Sequence, residues 1–364
     1  MDSPLAQARA CFLAGIAHYE AGRLAEADQQ FTAALVLAPG RPSILTNLGA
    51  VRLKLGRSEE ALALLRQALA QEPDNAEALG HGAAALAERG EATEALALFD
   101  RALELEPSRA ALWTLRGTVL KELGRASDAA ASFRQALERG GDPELNRYYL
   151  AGLAGLPPPP TAPRHYVESL FDGYAQQFDA HLVQALRYDA PRRLTQRLAG
   201  SGRRYRQALD LGCGTGLCGT FLRELATSVT GIDLSRNMLD KAQALGAYDT
   251  LLQADVAEYL AAAQETFDLV IAADVFIYVG ALDEVFRHVG RVLAPGGSFC
   301  FTLEEAQEGP ELALRSSLRY AHSESYVRRL AQGNGLRVDA IERSPVREEQ
   351  RQPIPGLFVW LSRA

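Results

Sequence analysis

The amino-acid sequence predicts two folds in one chain: an all-α solenoid of stacked helical hairpins, then an α/β domain built on a mostly parallel sheet. Three observations carry this. Frames of 34 residues keep phase four times over residues 8–141. A glycine-rich strand–turn–helix follows, Ala208-Leu-Asp-Leu-Gly-Cys-Gly-Thr-Gly216. Around and beyond it, apolar strand-length runs alternate with helical segments, which is the pattern of a sheet covered by helices on both faces. At 364 residues the chain is long enough for two cores.

The repeat half is read by aligning alanines. Ala27, Ala61, Ala95 and Ala129 recur, each followed seven residues later by Ala34, Ala68, Ala102 and Ala136. Gly22, Gly56, Gly90 and Gly124 lie five residues before the first set, where they release the chain between two helices. Pro39, Pro73 and Pro107 close three frames, and Gly141 takes that place in the fourth. Large side chains at Phe31, Leu65, Phe99 and Phe133 fill the space beside the alanines. This spacing resembles the tetratricopeptide repeat, TPR, a helix–turn–helix unit of that period. The resemblance implies a curved stack with a concave groove that takes a protein or peptide. The same stack can instead join copies of the chain or stiffen it. Pro143 to Leu153 reads as a capping helix over the last apolar face, so the repeat domain is placed at 1–155.

Residues 156–164 carry four successive prolines, Pro157 to Pro160, and read as an extended, semi-rigid spacer. A second domain is expected over 165–364. It opens on an aromatic stripe at helical spacing, Tyr166, Phe171, Tyr174 and Phe178, which is either a core face or a lid. Arg187 to Arg206 then holds seven arginines against one acid, Asp189, and reads as a solvated face or a surface for an acidic partner.

The strands of that domain follow in order. Ala208–Leu211, Ser228–Asp233, Thr250–Asp255, Phe267–Asp274 and Ser298–Leu303 are the first five, with helices at Leu217–Leu225, Ser235–Leu245 and Leu282–Leu293. Arg337–Arg343 and Gly356–Ser362 supply two more strands. Ligands of such sheets sit beyond the carboxyl ends of the strands. The glycines fall at 212, 214 and 216, whereas a dinucleotide fingerprint wants its third glycine at Leu217. Asp210 argues the same way, since a carboxylate repels a pyrophosphate but suits an ammonium. Asp233 ends strand two, placed for two ribose hydroxyls, and Asp255 ends strand three, placed for an adenine amino group.

Four strings in order, Leu209 to Gly216, Gly231-Ile-Asp-Leu-Ser235, Gln253-Ala-Asp-Val256 and Leu293-Ala-Pro-Gly-Gly297, resemble class I S-adenosylmethionine-dependent methyltransferases over residues 165–364. That resemblance implies a Rossmann-like sheet of seven strands with the last pair antiparallel. It places Gly212, Cys213, Gly214 and Gly216 under the methionyl part, with Cys213 as a small residue in a tight turn. Asp233 would hold the ribose, Leu234 and Met238 would lie beside the adenosine, and Asp255 and Val256 would flank the adenine. Asp274 would lie near the amino group or the transferring methyl. The aromatic helix of Tyr166, Tyr174 and Phe178 would fold over the cofactor. Together the halves look like the bacterial TPR methyltransferases. The implied cofactor is S-adenosylmethionine, leaving S-adenosylhomocysteine, with no metal.

Methyl transfer is an in-line displacement that needs alignment rather than a covalent intermediate. A proton-bearing acceptor also needs a base, and Tyr278, Glu304 and His322 follow the strand ends as candidates. Three functions are therefore expected in competition: methylation of a protein or peptide held by the repeats; methylation of a small metabolite, with the repeats serving oligomerisation or docking; or a non-catalytic interaction protein. A net charge of −7 argues against a dedicated nucleic-acid binder. No apolar stretch is long enough to span a membrane, and Met1-Asp2-Ser3-Pro4 does not resemble a signal peptide. Cys11, Cys213, Cys218 and Cys300 have no metal-ligand spacing and read as reduced thiols of a cytoplasmic protein.

Overall fold

The computed structural model describes residues 3–174, 188–306, 310–349 and 351–364. They fall into two compact units, Met1–Leu153 and Ala154–Ala364.

The first unit is four helical hairpins and a final helix. The hairpins are α1 (Pro4–Glu20) with α2 (Leu24–Leu37), α3 (Pro42–Lys54) with α4 (Ser58–Gln71), α5 (Ala76–Glu88) with α6 (Ala92–Leu105), and α7 (Ala110–Glu122) with α8 (Ala126–Glu138). Helix α9 (Pro143–Ala154) ends the stack. Each hairpin turns at the expected glycine, Gly22, Gly56, Gly90 or Gly124, with φ between 72° and 78°. The next residue then donates back across the turn, as in Arg57 N to Arg52 O at 2.8 Å and Arg125 N to Leu120 O at 2.9 Å. That is the helix-ending motif in which a left-handed residue satisfies the last carbonyls. Both alanine ladders are buried, as are Phe31, Leu65, Phe99 and Phe133.

A further rule, not read from the sequence, explains the fit. A methyl on Gly15 would sit 2.7 Å from the Phe31 ring, on Gly49 2.7 Å from Leu65, and on Gly117 2.6 Å from Phe133. In three of the four hairpins the large residue of the second helix therefore presses on bare backbone of the first, and Ala83 stands at this place in the third. Tyr149 of α9 stacks on Phe133, 4.5 Å between centroids and 8° between planes, and covers the exposed end of the last hairpin.

The second unit runs α10 (Arg164–Tyr174), α11 (Ala190–Gly200), β1 (Tyr205–Leu211), α12 (Gly219–Leu225), β2 (Ala226–Asp233), α13 (Arg236–Leu245), β3 (Thr250–Gln253) and α14 (Val256–Ala262). It continues through β4 (Phe267–Ala272), α15 (Asp283–Val292), β5 (Leu293–Glu305), β6 (Leu312–Leu314), β7 (Tyr320–His322), α16 (Glu324–Gly333), β8 (Leu336–Glu349) and β9 (Gln352–Arg363). Strands β3-β2-β1-β4-β5 are parallel neighbours. Strand β9 is antiparallel to β5 and β8 antiparallel to β9. These are the seven strands the resemblance implied. A small hairpin, β6 with β7, is added where β7 pairs with Glu304 and Glu305 at the tail of β5. Side chains alternate to two buried faces. Leu209, Leu211, Phe299 and Phe301 pack on one side, and Ala208, Leu269, Cys300, Phe358 and Trp360 on the other.

Three features differ from expectation. Strand β3 stops at Gln253, because Asp255 leaves the ladder to cap α14. The arginines of α11 are a solvated face only in part: Arg192 and Arg197 are exposed, but Arg193 and Arg197 also cover the sheet's aromatic rings. Arg193 lies 4.0 Å over the Phe358 ring and Arg197 5.0 Å over Trp360, closing the sheet with their stems. The proline run is also part of this unit. Pro160 O accepts from Ala281 N at 2.7 Å, Ala162 N donates to Tyr278 O at 3.0 Å, and Tyr320 Oη donates to Pro159 O at 2.8 Å. Residues 159–162 thus form a strap along the loop that leaves β4.

Candidate active site

The strand order reverses between β1 and β4, which opens a crevice at the carboxyl ends of both. The turn after β1 lines it. Gly212, Gly214 and Gly216 have φ of 63°, 54° and 96°, values open to glycine without strain. A methyl on Gly212 would meet Val275 at 2.6 Å and one on Gly216 would meet Leu245 at 2.9 Å, so the backbone is packed from behind while Gly212 and Gly214 stay partly open. Asp233, at the tip of β2, fixes the turn. Its Oδ2 accepts from Gly214 N at 2.9 Å and its Oδ1 from Ser235 N at 2.8 Å. Burial pushes its carboxyl up, opposed by those backbone donors. Ser235 caps α13 through Met238 N, which buries Met238 beneath the tip. Leu234 is half-buried, and its carbonyl accepts from Gln253 at 2.9 Å.

Asp210 lies deeper than expected. It is 1% exposed. Its Oδ2 accepts from Tyr248 Oη at 2.7 Å, while its Oδ1 is buried without a partner. The carboxyl is pushed up to about 7 by burial, with Tyr248 opposing and Asp233 adding. Cys213 is buried within the turn, and burial holds its thiol well above the ordinary value, so it is no nucleophile. Asp255 uses Oδ1 to cap α14 at Ala257 N and Glu258 N, with Val256 buried behind it.

Helix α10 runs along this edge. Arg164 reaches Glu258 at 3.2 Å, and Asp172 accepts from Ser235 Oγ at 2.5 Å and from Asn237 at 3.1 Å. Phe171 meets Tyr278 edge-on at 5.4 Å. Tyr166 is half-buried on this helix. Phe178 lies outside the described residues, and so does the side chain of Tyr174.

Beyond β4 and β5 the structure gathers charges the sequence did not reveal. Asp274 adopts φ of 61° and donates its N–H to Thr302 Oγ1 at 2.8 Å. Its carboxylate accepts from Arg347 at 2.8 Å. Arg347 comes from the far end of β8, is 1% exposed along its side chain, and also binds Glu304 and Glu349. Glu304 gives its other oxygen to Arg315 at 3.0 Å, and Glu349 is shared with Arg319. Arg319 in turn lies close enough to Tyr278 to oppose the rise of its phenol.

These contacts correct two expected bases. Glu304 is buried and ion-paired through both oxygens. His322 is wholly buried in β7, where Nε2 bonds Gly280 O at 2.7 Å and the ring stacks on Tyr326. Burial holds it down at about 4, so it is a neutral structural ring. Tyr278 does border the crevice, but burial raises its phenol against the pull of Arg319. Among the described residues no cluster has a metal-ligand arrangement.

Comparison with known proteins agrees with this architecture. Residues 209–301 match a family described as a methyltransferase domain. Residues 46–110 and 110–139 match families described as tetratricopeptide repeats. The chain therefore joins tetratricopeptide repeats to a methyltransferase domain. Among curated proteins it is similar to the malonyl-[acyl-carrier protein] O-methyltransferase of Enterobacter lignolyticus, 31% identical over 136 residues, which is 37% of this chain and 54% of the relative. The protein of the same description from Pseudescherichia vulneris is 33% identical over 146 residues, 40% of this chain and 56% of the relative. The chain thus spans about half the length of the curated relatives it matches. Among solved structures, the magnesium protoporphyrin IX methyltransferase of Synechocystis PCC 6803 with bound SAM is 16% identical, with a TM-score of 0.44, over 55% of this chain and 97% of that one.

The crevice fits S-adenosylmethionine on its own terms. The glycine turn holds left-handed backbone at Gly212, Gly214 and Gly216 and leaves Gly212 and Gly214 partly open to the crevice. Among the described residues the Asp233 carboxylate accepts from backbone donors only and makes no ion pair, which leaves acceptor capacity for hydroxyl groups. The bonds that hold the turn and its two aspartates come from backbone N–H groups and one phenol, not from the basic side chains a pyrophosphate would want.

Proposed function

We propose that this chain transfers a methyl group from S-adenosylmethionine to an acceptor that a protein held on the repeat unit either carries or is. One observation carries the reading: a left-handed glycine turn locked onto the Asp233 carboxylate at the carboxyl ends of β1 and β2. In this reading Gly212, Cys213, Gly214 and Gly216 support the methionyl part. Asp233 takes the ribose hydroxyls, with Leu234 and Met238 beside the adenosine. Asp255 and Val256 border the adenine, and Tyr166 on α10 covers it. Asp274 stands at the acceptor end. When bound, S-adenosylmethionine supplies a methyl already activated by its sulfonium. The protein's part is to align the acceptor and exclude water, an entropic gain of ~7–11 kcal/mol in well-oriented reactions.

Calorimetry on the full chain tests the cofactor site. Micromolar affinity is expected, falling at least tenfold in Asp233→Ala and in Gly214→Val. Unchanged affinity in both would remove the assignment. Labelled-methyl transfer into lysate proteins, by the full chain and by residues 154–364, tests the arm. Loss of protein labelling with residues 1–153 removed supports the repeats as the acceptor's holder.

A second reading is a small acid as acceptor, with the repeats docking a partner. The names of the two curated relatives favour it, since both describe O-methylation of a malonyl group on a carrier protein. Turnover of free small acids by residues 154–364 at the full chain's rate would favour it over the first.

A further inference from the structure

The charged network at the ends of β4 and β5 has an order that the fold itself does not need. Arginine and carboxylate alternate as Arg315, Glu304, Arg347, Glu349 and Arg319, and the line ends on the Tyr278 hydroxyl. Two hairpins supply the cations. The turn joining β6 to β7 brings Arg315 and Arg319, and the outer end of the β8–β9 ribbon brings Arg347 with Glu349. The first hairpin is tied to the loop after β4 by Tyr320 N, which donates to Ile277 O at 2.8 Å, and by the Tyr320 ring over Gly280. Arg319 is therefore fixed beside Tyr278. Val275, three residues before Tyr278, packs against Gly212. The network thus abuts the glycine turn, on the side where an acceptor must approach.

Two physical facts narrow what that acceptor is. First, among the described residues of this network no group is suited to take a proton. Asp274, Glu304 and Glu349 each accept from a guanidinium, and Glu305 accepts from Arg343 at 2.7 Å. A carboxylate that takes a proton gives up its charge-assisted hydrogen bond, so an ion-paired one is a weak general base. His322 is buried on a backbone carbonyl, and burial keeps the Tyr278 phenol protonated. An amine or alcohol needs its proton removed. A carboxylate does not.

Second, the partly exposed members of the network include two guanidiniums beside the carboxylates of Glu349 and Asp274, the latter 15% exposed. Arg315 and Arg319 keep 32% and 25% of their side chains exposed, against 27% for Glu349. Glu304 and Arg347 lie beneath at 2% and 1%. Of the two exposed guanidiniums, Arg319 stands beside Tyr278 at the rim, and a guanidinium matches a carboxylate fork to fork. Burial keeps the Tyr278 phenol protonated beside Arg319, so its hydroxyl can donate.

We propose that the reacting group of the acceptor is a carboxylate, gripped by Arg319 and the Tyr278 hydroxyl at the end of β4, and that the product is a methyl ester. The proposal rests on the methyltransferase reading above and gives it a substrate class. A carboxylate oxygen bonds to the methyl carbon as the carbon–sulfur bond breaks, and sulfur keeps the electron pair. The acceptor's negative charge and the sulfonium's positive charge vanish together, and no proton moves. Arg347 is the positioning residue: it touches no acceptor, but it orients Asp274, Glu304 and Glu349, and through Glu349 it orients Arg319.

The test uses the full chain with S-adenosylmethionine labelled in its methyl group, in a lysate supplied with benzoate, monomethyl succinate and monomethyl glutarate. The transferred label should be alkali-labile and released as volatile methanol, which N-, C- and S-methyl groups do not give. Arg319→Gln and Tyr278→Phe should lower labile transfer by at least a hundredfold and tenfold respectively, with cofactor affinity unchanged. Arg319→Lys should not rescue, because a lysine offers no fork. Alkali-stable label, or no labile label at normal cofactor affinity, would overturn the carboxylate and leave the methyltransferase reading standing. Loss of cofactor binding in the unmutated chain would instead sink that reading.

Discussion

Asp210 and Asp233 end neighbouring strands of like pattern, yet their surroundings give them different chemistry. Asp233 has backbone donors on both oxygens, whereas Asp210 has one phenol and a bare buried oxygen. The Asp210 carboxyl is raised from its ordinary 3.8 to about 7 by burial first. A raised carboxyl means the folded chain keeps a proton the unfolded chain gives up. Its stabilising contribution is full below about 3.8 and is lost as pH rises through about 7. Asp210→Asn cannot ionise and can still accept from Tyr248. Without cofactor it should therefore melt progressively higher than the parent as pH goes from 4 to 8. The gain should reach up to ~4 kcal/mol at the upper end, since each tenfold change in proton affinity is worth about 1.4 kcal/mol. Parallel melting curves at all pH values would show that Asp210 does not titrate there. At this scale the sequence was informative about position and silent about partners. Alternating apolar residues put Asp210 and Asp233 at strand ends, and they are there, whereas Asp255 lies two residues past β3 and caps α14. Nothing local could tell that Asp274 and Glu304 would meet Arg347, which lies 73 and 43 residues away. Glu304 and His322 looked free only because their partners were out of view.

Among the elements, those with strong periodicity were legible and the short or polar ones were not. The eight repeat helices follow from alanine, glycine and proline in phase, because a solenoid contacts only its neighbours. Strands β6 and β7 have three residues each, too few for any period to register. The outer part of β8, Ser344 to Glu349, is polar and carries Pro345, so it read as a strand's end. It continues because β9 pairs with it alone, with a register shift between Pro345 and Arg347. The tight glycine faces of the repeats were also missed, since a glycine inside a helix is ordinarily a weakness. Here it is a contact. Gly117→Val would drive a branched side chain into Phe133, whose ring already sits 2.6 Å from the first carbon of such a chain. Overpacking of this kind costs ~1–3 kcal/mol or more. The variant should unfold its repeats at lower temperature, seen as loss of helical circular dichroism, while S-adenosylmethionine affinity stays within twofold. Gly117→Ala should be milder, since the third hairpin already holds Ala83 at that place. Equal effects of the two substitutions would mean that the contact relaxes freely.

At the scale of the whole chain, the proline run expected to be a spacer packs with the sheet unit. Composition made the proline run a spacer, because prolines lack donors and favour extended backbone. Both properties equally suit an edge strap, where carbonyls accept and few donors need satisfying. Pro159 and Pro160 act as acceptors in this way, and Ala162 is the first residue of the strap whose N–H reaches the sheet unit's loop. The strap borders the same loop that carries Tyr278, so a fragment cut at 165 loses more than a linker. It forfeits the bonds from Ala281, Tyr320 and Ala162, and uncovers the surface beneath Ala162 and Pro163, both buried. Three hydrogen bonds at about 0.5–1.5 kcal/mol each give roughly 2–4 kcal/mol. For a domain of this size that corresponds to roughly 5–15 °C in melting temperature. Residues 154–364 should thus melt that much higher than residues 165–364 in matched thermal scans. They should also bind S-adenosylmethionine as the full chain does, whereas the shorter fragment should lose methyl transfer before it loses cofactor. Identical melting of the two fragments would return the prolines to the role of a plain spacer.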